Sequence, residues 1–153
     1  MKYWLIKSEE STYSIDDLKR DTVVDWFGIR NYQARNFMRD EMKIGDLVLF
    51  YHSNSKPSGI FGIASVASEP HPDEKAFDKT HQYFDARSTV EKPMWICVDF
   101  MFAEKFNQAI SLDQLKRIQE CEGMLVTKKG QRLSIQPVAE KHFKHIYSLG
   151  MNN

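Results

Sequence analysis

The hydrophobic and aromatic residues fall into runs that predict the strands of a sheet. The four longest runs are residues 3–6, 47–51, 59–66 and 94–106. The second run is apolar throughout, which is typical of a strand buried on both faces. A polar turn separates it from the third run and predicts a hairpin. Shorter runs at 124–126 and 133–135 predict two more strands.

Helix signals lie between these runs. Ser14 and Ser111 each begin a capping box, in which the serine and a side chain three residues later satisfy free backbone N–H groups. Asn31 is a suitable N-cap for another helix. Apolar residues at helical spacing continue that helix to about residue 42 and fill a last helix from about residue 138. Four helices are therefore predicted, near 14–20, 31–42, 111–119 and from 138 onward.

Residues 70–93 have neither a helical nor a strand period. A loop of this length is uncommon in a compact domain and is usually functional or partly disordered. This 70–93 loop is too aromatic for a plain linker, since it contains His71, Phe77, His81, Tyr83, Phe84 and Arg87. The mixture of strands and short helices predicts one α+β domain over residues 1–153, built on a curled sheet.

Composition and charge narrow the class of protein. The chain is 42% hydrophobic and 27% charged, as in ordinary globular proteins. Its 21 basic residues balance 21 acidic ones, so any nucleic-acid partner has to be held by a pocket and a local basic patch. We expect neither a signal peptide nor a membrane span. Cys97 and Cys121 lie far apart, and we expect reduced thiols in a cytoplasmic protein.

The densest candidate chemistry is in the 26–36 segment, Trp-Phe-Gly-Ile-Arg-Asn-Tyr-Gln-Ala-Arg-Asn. A flat indole, guanidinium forks and carboxamides are the groups that hold a planar, hydrogen-bonding ligand such as a nucleobase. In the alternative interpretation, Trp26 and Phe27 are core aromatics, and Arg30, Arg35 and Arg39 form a solvated helix face. The asparagines within the same segment favour a ligand site.

Two further polar clusters stand at predicted strand ends, Lys7-Ser8-Glu9 and Tyr51-His52-Ser53. Either could be an ordinary strand end entering a turn. Because strand ends of one sheet can converge at one edge of a barrel, we expect the strands at 3–6, 47–51, 60–66 and 95–102 in one curved sheet. Both clusters would then share a mouth with Trp26.

Signatures of the common enzymes and metal sites are absent from the sequence. There is no GxSxG, P-loop or GxGxxG motif. His142 and His145 are three residues apart, but no cysteine or carboxylate completes a ligand set. A hydrolase arrangement of Ser53, His52 and Glu9 is disfavoured, because sequence neighbours on a strand point to opposite faces. We expect no metal and no cofactor.

Four segments in order resemble the EVE domain. They are Lys2 to Glu9, the 26–36 segment, Gly45-Asp-Leu-Val-Leu-Phe-Tyr-His-Ser53 and Leu133-Ser-Ile-Gln-Pro-Val138. Together they span nearly the whole chain, and the second is long enough to be specific. The resemblance implies a PUA-like fold, a curved β-barrel surrounded by short helices. It also implies kinship with YTH domains, which read methylated adenine in RNA through an aromatic cage.

The resemblance also implies, residue by residue, where a base would bind. Trp26 would be one wall of the pocket, and Tyr83 and Phe84 in the 70–93 loop would be a second aromatic wall. The remaining residues would line the recognition edge, the rim and the opposite side: Lys7, Ser8, Glu9, Arg30, Asn31, Tyr51, His52 and Ser53.

We interpret the chain as a non-catalytic reader of a modified base in DNA or RNA, which flips the base into this pocket. Arg30, Arg35 and Lys56 are the residues we expect nearest the phosphates of a bound strand. Two alternatives stay open. One is an enzyme acting on a modified nucleotide or base, with Glu9 or His52 as acid–base groups, and the other is a protein-interaction subunit. The sequence does not determine which modified base is bound, whether the partner is DNA or RNA, or what the oligomeric state is.

Overall fold

A computed structural model describes residues 1–152, and a curled sheet forms its centre. The strands are β1 (Tyr3–Glu9), β2 (Val23–Asp25), β3 (Leu47–Ser53), β4 (Gly59–Val66), β5 (His71–Pro72), β6 (Ile96–Cys97), β7 (Asp99–Ser111) and β8 (Ile135–Val138). Six of them form the sheet in the order β2-β7-β4-β3-β1-β8, and β5 pairs with β6 separately. Irregularities between β3 and β4 and between β4 and β7 bend this sheet.

Four α-helices flank the sheet: α1 (Ile15–Asp21), α2 (Tyr32–Asn36), α3 (Leu112–Arg117) and α4 (Glu140–Met151). Ser14 and Ser111 make both bonds of their predicted capping boxes, and the Oδ1 atom of Asn31 accepts from the Ala34 N–H. After α2 the chain continues as a π-helical turn, Phe37–Glu41. Within the described residues, no helix has the length and apolar character needed to cross a membrane.

Both faces of the sheet are covered, which explains the unbroken apolar run of β3. On one face, Ile6 and Phe50 belong to a core that includes residues of α1 and α2. On the other face, Leu5 and Leu49 belong to a core that includes residues of α3 and α4. Central β1 and β3 run parallel, whereas β3 and β4 form the predicted antiparallel hairpin.

Several predicted boundaries are wrong. The expected long strand at 94–106 is divided between short β6 and long β7. The expected strand at 124–126 is a 3₁₀ turn, Leu125–Thr127, because its backbone N–H groups bond locally. Helix α4 begins at Glu140 because β8 continues to Val138. The 70–93 loop contains β5 and a 3₁₀ turn, Glu74–Phe77.

The two cysteines are free and buried, as predicted for reduced thiols. Burial raises the pKa of Cys121 to about 11 and raises that of Cys97 further. Both are therefore protonated and unreactive near neutral pH.

Candidate functional site

The two predicted strand-end clusters do lie side by side, because the parallel register pairs Lys7 with Tyr51 and Ser8 with His52. Side chains alternate between the faces of a sheet, however. Ser8 and His52 are on the face that carries Trp26. The Ser8 hydroxyl donates to the backbone carbonyl of Tyr13, just before α1, so this hydroxyl is already hydrogen-bonded.

The other four residues of these clusters lie on the opposite face. The Lys7 ammonium is 5.9 Å from the centre of the Tyr51 ring and donates to the Gln131 carbonyl at 3.0 Å. Burial lowers the pKa of Lys7 and raises that of Tyr51. Glu9 and Ser53 follow the same alternation, and Glu9 accepts a hydrogen bond from the β3–β4 turn. Strand alternation therefore separates these four side chains from Trp26, against the expectation of one shared mouth.

His52 is held inside the protein in a defined tautomer. Its ring is 1% exposed and stacks on Phe61 with 4.1 Å between ring centres. Nε2 accepts the Ile15 N–H at 3.0 Å, and burial lowers the pKa of His52, so the neutral ring carries its proton on Nδ1. Nδ1 makes no hydrogen bond, although the Glu10 carboxylate is 3.4 Å away.

Trp26 is largely packed in the core on one face of the sheet. Its side chain is 9% exposed and makes edge-to-face contacts with Tyr13, Phe50 and Phe100. Its backbone N–H donates to the Val98 carbonyl at 3.0 Å. Most of the indole surface therefore belongs to the core, as the alternative interpretation of the sequence expected.

The residues that follow Trp26 bind the 70–93 loop. Arg30 donates to the Asp73 carboxylate at 2.9 Å and to the Tyr83 carbonyl at 2.6 Å. The Gly28 N–H donates to the same Asp73 oxygen at 2.8 Å. Gly28 has φ +87°, and a Cβ here would lie 2.7 Å from the Tyr83 ring. Glycine therefore permits both the turn and the close approach of the ring.

Aromatic rings and guanidinium planes form a continuous surface at this junction. Arg30 lies 5.4 Å from the ring centre of Tyr83 and 5.1 Å from that of Trp95, so it bridges the two rings. Tyr32 stacks on Trp95 with 5.1 Å between ring centres and 13° between planes. The indole N–H of Trp95 donates to Asp85 at 2.9 Å and fixes the ring.

A surface pocket of about 300 Å³ opens in this cluster. Phe84 is 36% exposed and the Arg87 side chain is 65% exposed, so part of the lining is available to a ligand. Hydrogen bonds from Arg87 and Trp95 hold the pKa of Asp85 well below its usual range, so this carboxylate is ionised. The lining residues are Arg30, Tyr32, Gln82, Tyr83, Phe84, Asp85, Arg87 and Trp95. The volume is near the lower limit for small-molecule sites.

The other predicted rim and phosphate residues have distinct positions. Asn31 caps α2, and Arg35 donates to the Met94 carbonyl at 2.9 Å and to the Asn36 side chain. Among the described residues, no carboxylate lies within ion-pair distance of Arg35. Lys56 is exposed in the turn between β3 and β4.

The sequence alone does not identify several members of this cluster as site residues: Tyr32, Asp73, Gln82, Asp85, Arg87 and Trp95. Tyr32 falls in a predicted helix and Trp95 in a predicted strand, and no local pattern pairs Asp73 with Arg30. A usable signal is present for Trp95, since it lies two residues after Pro93 at the end of the aromatic loop.

This arrangement suits the binding of a flat ring better than acid–base chemistry. His52 is nearly inaccessible, and Glu9 is on the opposite face of the sheet. In the part of the chain that the structure describes, no cluster of His, Cys, Asp or Glu could hold a metal ion.

The sequence profile of the EVE domain matches residues 2–149. The chain belongs to the EVE family. Thymocyte nuclear protein 1 of Mus musculus is 37% identical to this EVE protein over 166 residues, which covers 96% of the chain and 73% of the mouse protein. A Pseudomonas putida protein of known crystal structure is 39% identical in sequence to this EVE protein. The two structures match with a TM-score of 0.92, and the match covers 97% of this chain and 99% of the Pseudomonas chain.

A human relative adds information about a ligand. The crystal structure of human THYN1 protein in complex with 5-methylcytosine containing DNA is 36% identical, with a TM-score of 0.85 and coverage of 98% of each chain. The α+β, PUA-like architecture of this EVE protein is the architecture of these structures, as predicted.

Proposed function

We propose that this EVE protein is a non-catalytic reader that binds a modified base of nucleic acid in the pocket between the 26–36 segment and the 70–93 loop. The observation that supports this location is the pocket of about 300 Å³, walled by aromatic rings and the fixed Arg30 guanidinium. The human relative with 5-methylcytosine DNA supports the class of partner. Methylated DNA is therefore the first ligand to test, followed by modified RNA.

In this mechanism the base leaves its stack and lies against Phe84 and Tyr83. Stacking of a base on an aromatic side chain stabilises a complex by about 1–3 kcal/mol. Extruding a base from a duplex costs a few kcal/mol, so one stacking contact only offsets that cost. Burial of a methyl group adds about 0.8 kcal/mol, which corresponds to about fourfold in affinity. The modification would thus decide whether the flipped state is populated.

In this proposal Trp26, Ser8 and His52 stabilise the structure around the pocket and do not contact the base. The packed indole of Trp26 anchors the start of the segment that carries Arg30. Lys7, Glu9, Tyr51 and Ser53 are on the far face of the sheet and do not contact the base.

A binding role is supported by what surrounds the pocket. Arg30 and Arg87 are paired with carboxylates, so both cations are fixed in position and partly neutralised. The ionised Asp85 already accepts hydrogen bonds on both oxygens. Such groups orient a ligand without an acid or base ready to exchange protons.

The test uses short fluorescent oligonucleotides with one 5-methylcytosine or one cytosine, and measures their affinity by anisotropy. Phe84→Ala should weaken binding of the methylated strand by about 5- to 150-fold, the equivalent of one stacking contact. Tyr147→Ala is the matched control, because this ring is 39% exposed on α4, away from the pocket. Wild-type affinity in Phe84→Ala, or equal loss in the control, would contradict the proposal.

A further inference from the structure

Helix α2 carries an exposed aromatic ring, Tyr32, and a cation, Arg35, without an ion-pair partner within residues 1–152. Tyr32 is 50% exposed, more than any other Phe, Tyr or Trp among the described residues. Arg35 is three residues further along the chain, and its guanidinium is 4.9 Å from the centre of the Tyr32 ring. Residues three apart on a helix are neighbours on its surface, so this pair forms one local feature.

Trp95 and Arg35 together cover only one face of the Tyr32 ring. The ring centres of Tyr32 and Trp95 are 5.1 Å apart, and Arg35 is 4.9 Å from the first and 5.7 Å from the second. These three distances form a nearly equilateral triangle. Arg35 and Trp95 therefore cannot lie on opposite faces of Tyr32, and the half-exposed ring has a face available for a further flat group.

The charge on Arg35 differs from that of its neighbours. Arg30 is paired with Asp73, and Arg39 is paired with Asp40. Arg35 instead donates to neutral oxygens of Met94 and Asn36, and the nearest carboxylate that acts on its charge, Asp40, is ion-paired with Arg39 and not with Arg35. A fixed guanidinium without a carboxylate partner is suited to an anion such as a phosphate.

We propose that Tyr32 and Arg35 bind the nucleotide that adjoins the modified one, with its base on Tyr32 and its phosphate on Arg35. A free aromatic face and a neighbouring cation match the two parts of a nucleotide. Tyr32 also borders the base pocket, so the two nucleotides would be consecutive in one strand. This inference rests on the proposed function and specifies its ligand: a strand with at least two accessible consecutive nucleotides.

The test compares a nucleoside with an oligonucleotide. The probes are 5-methyldeoxycytidine and a single-stranded pentanucleotide with 5-methylcytosine at its centre, measured by NMR titration and anisotropy. Tyr32→Ala should weaken pentanucleotide binding about 5- to 150-fold more than it weakens nucleoside binding, whereas Tyr32→Phe should retain both. Tyr32→Leu keeps an apolar contact with Trp95 without an aromatic face, and it should behave like Tyr32→Ala while keeping the wild-type melting temperature.

The phosphate contact has its own control. Arg35→Gln should lower the slope of log affinity against log salt by about one unit for methylated and unmethylated pentanucleotides alike. Arg39→Gln removes a charge from the same helical run, where that charge is already paired, and should change the slope little.

Two results would overturn the inference. Equal loss of nucleoside and pentanucleotide binding in Tyr32→Leu would place Tyr32 in the base pocket itself, and no loss of either would remove it from binding. Failure of the proposed function has a different signature, since the wild-type protein would then bind methylated and unmethylated probes equally.

Discussion

Replacement of Arg30 by Met should destabilise the junction between the 26–36 segment and the 70–93 loop. The change removes the hydrogen bonds to the Asp73 carboxylate and the Tyr83 carbonyl. It also removes the guanidinium that lies against Tyr83 and Trp95. The Asp73 side chain is 2% exposed, so its charge would remain buried without a counter-ion.

The expected loss follows from this geometry. Removing one partner of a buried ion pair costs about 3–5 kcal/mol. Arg30 is 23% exposed, and Asp73 keeps the N–H groups of Gly28 and Lys75, so the lower part of that range applies. The two lost ring contacts add about 0.5–1 kcal/mol each. We therefore expect the free energy of unfolding to fall by about 4–5 kcal/mol.

Urea unfolding followed by tryptophan fluorescence measures this loss, and Trp95 reports on the junction itself. Arg30→Lys keeps the charge without the planar fork, so it should lose about half as much. Arg39→Met is the matched control, because its pair with Asp40 is exposed and such pairs contribute little to stability. If Arg30→Met and Arg39→Met lose similar small amounts, Arg30 does not hold the loop and the reasoning fails.

Three further changes test other parts of the structure. Gly28→Ala places a Cβ at φ +87° and against the Tyr83 ring, and should lower the melting temperature by several degrees in calorimetry; an unchanged value would refute the close approach. Trp26→Ala should cost about 3–5 kcal/mol in urea unfolding, as for a core aromatic, whereas a loss below about 1 kcal/mol would indicate an open wall. The pKa of His71 should lie above its ordinary value of 6.5 in an NMR titration, because the lowering by burial is outweighed by the hydrogen bonds to Asp99 and to the Pro72 backbone together with the nearby Asp99 and Asp25 charges; Asp99→Asn should lower it. This pair stabilises the fold fully below about pH 6.5 and loses its effect as pH rises through the raised pKa, so an unshifted His71 would contradict it.

Local signals in the sequence predicted local structure well. The capping boxes at Ser14 and Ser111 and the cap at Asn31 depend on residues three positions apart, and all three are confirmed. The β3–β4 hairpin is confirmed for the same reason. The strand predicted at 124–126 is wrong because this apolar run forms a 3₁₀ turn with local hydrogen bonds. Hydrophobicity alone does not distinguish such a turn from a short buried strand.

The candidate site was harder to predict because its contacts join distant parts of the chain. The sequence pointed to Arg30, Tyr83 and Phe84, and the structure brings these into one cluster. The pairing of Arg30 with Asp73 and the stacking of Tyr32 on Trp95 could not be predicted from the sequence, because these contacts form only once the sheet has formed. The separation of Lys7 from Trp26 follows from strand alternation, once the strand is known to be covered on both faces.

A salt titration with methylated and unmethylated oligonucleotides tests the reader hypothesis most directly. The net charge is zero, and few cations near the pocket lack a carboxylate partner, so non-specific attraction should be weak. We predict a shallow dependence of log affinity on log salt, with a preference of about fourfold or more for 5-methylcytosine that persists at every salt concentration. Tight, steeply salt-dependent binding that ignores the methyl group would show a general nucleic-acid binder and contradict the account.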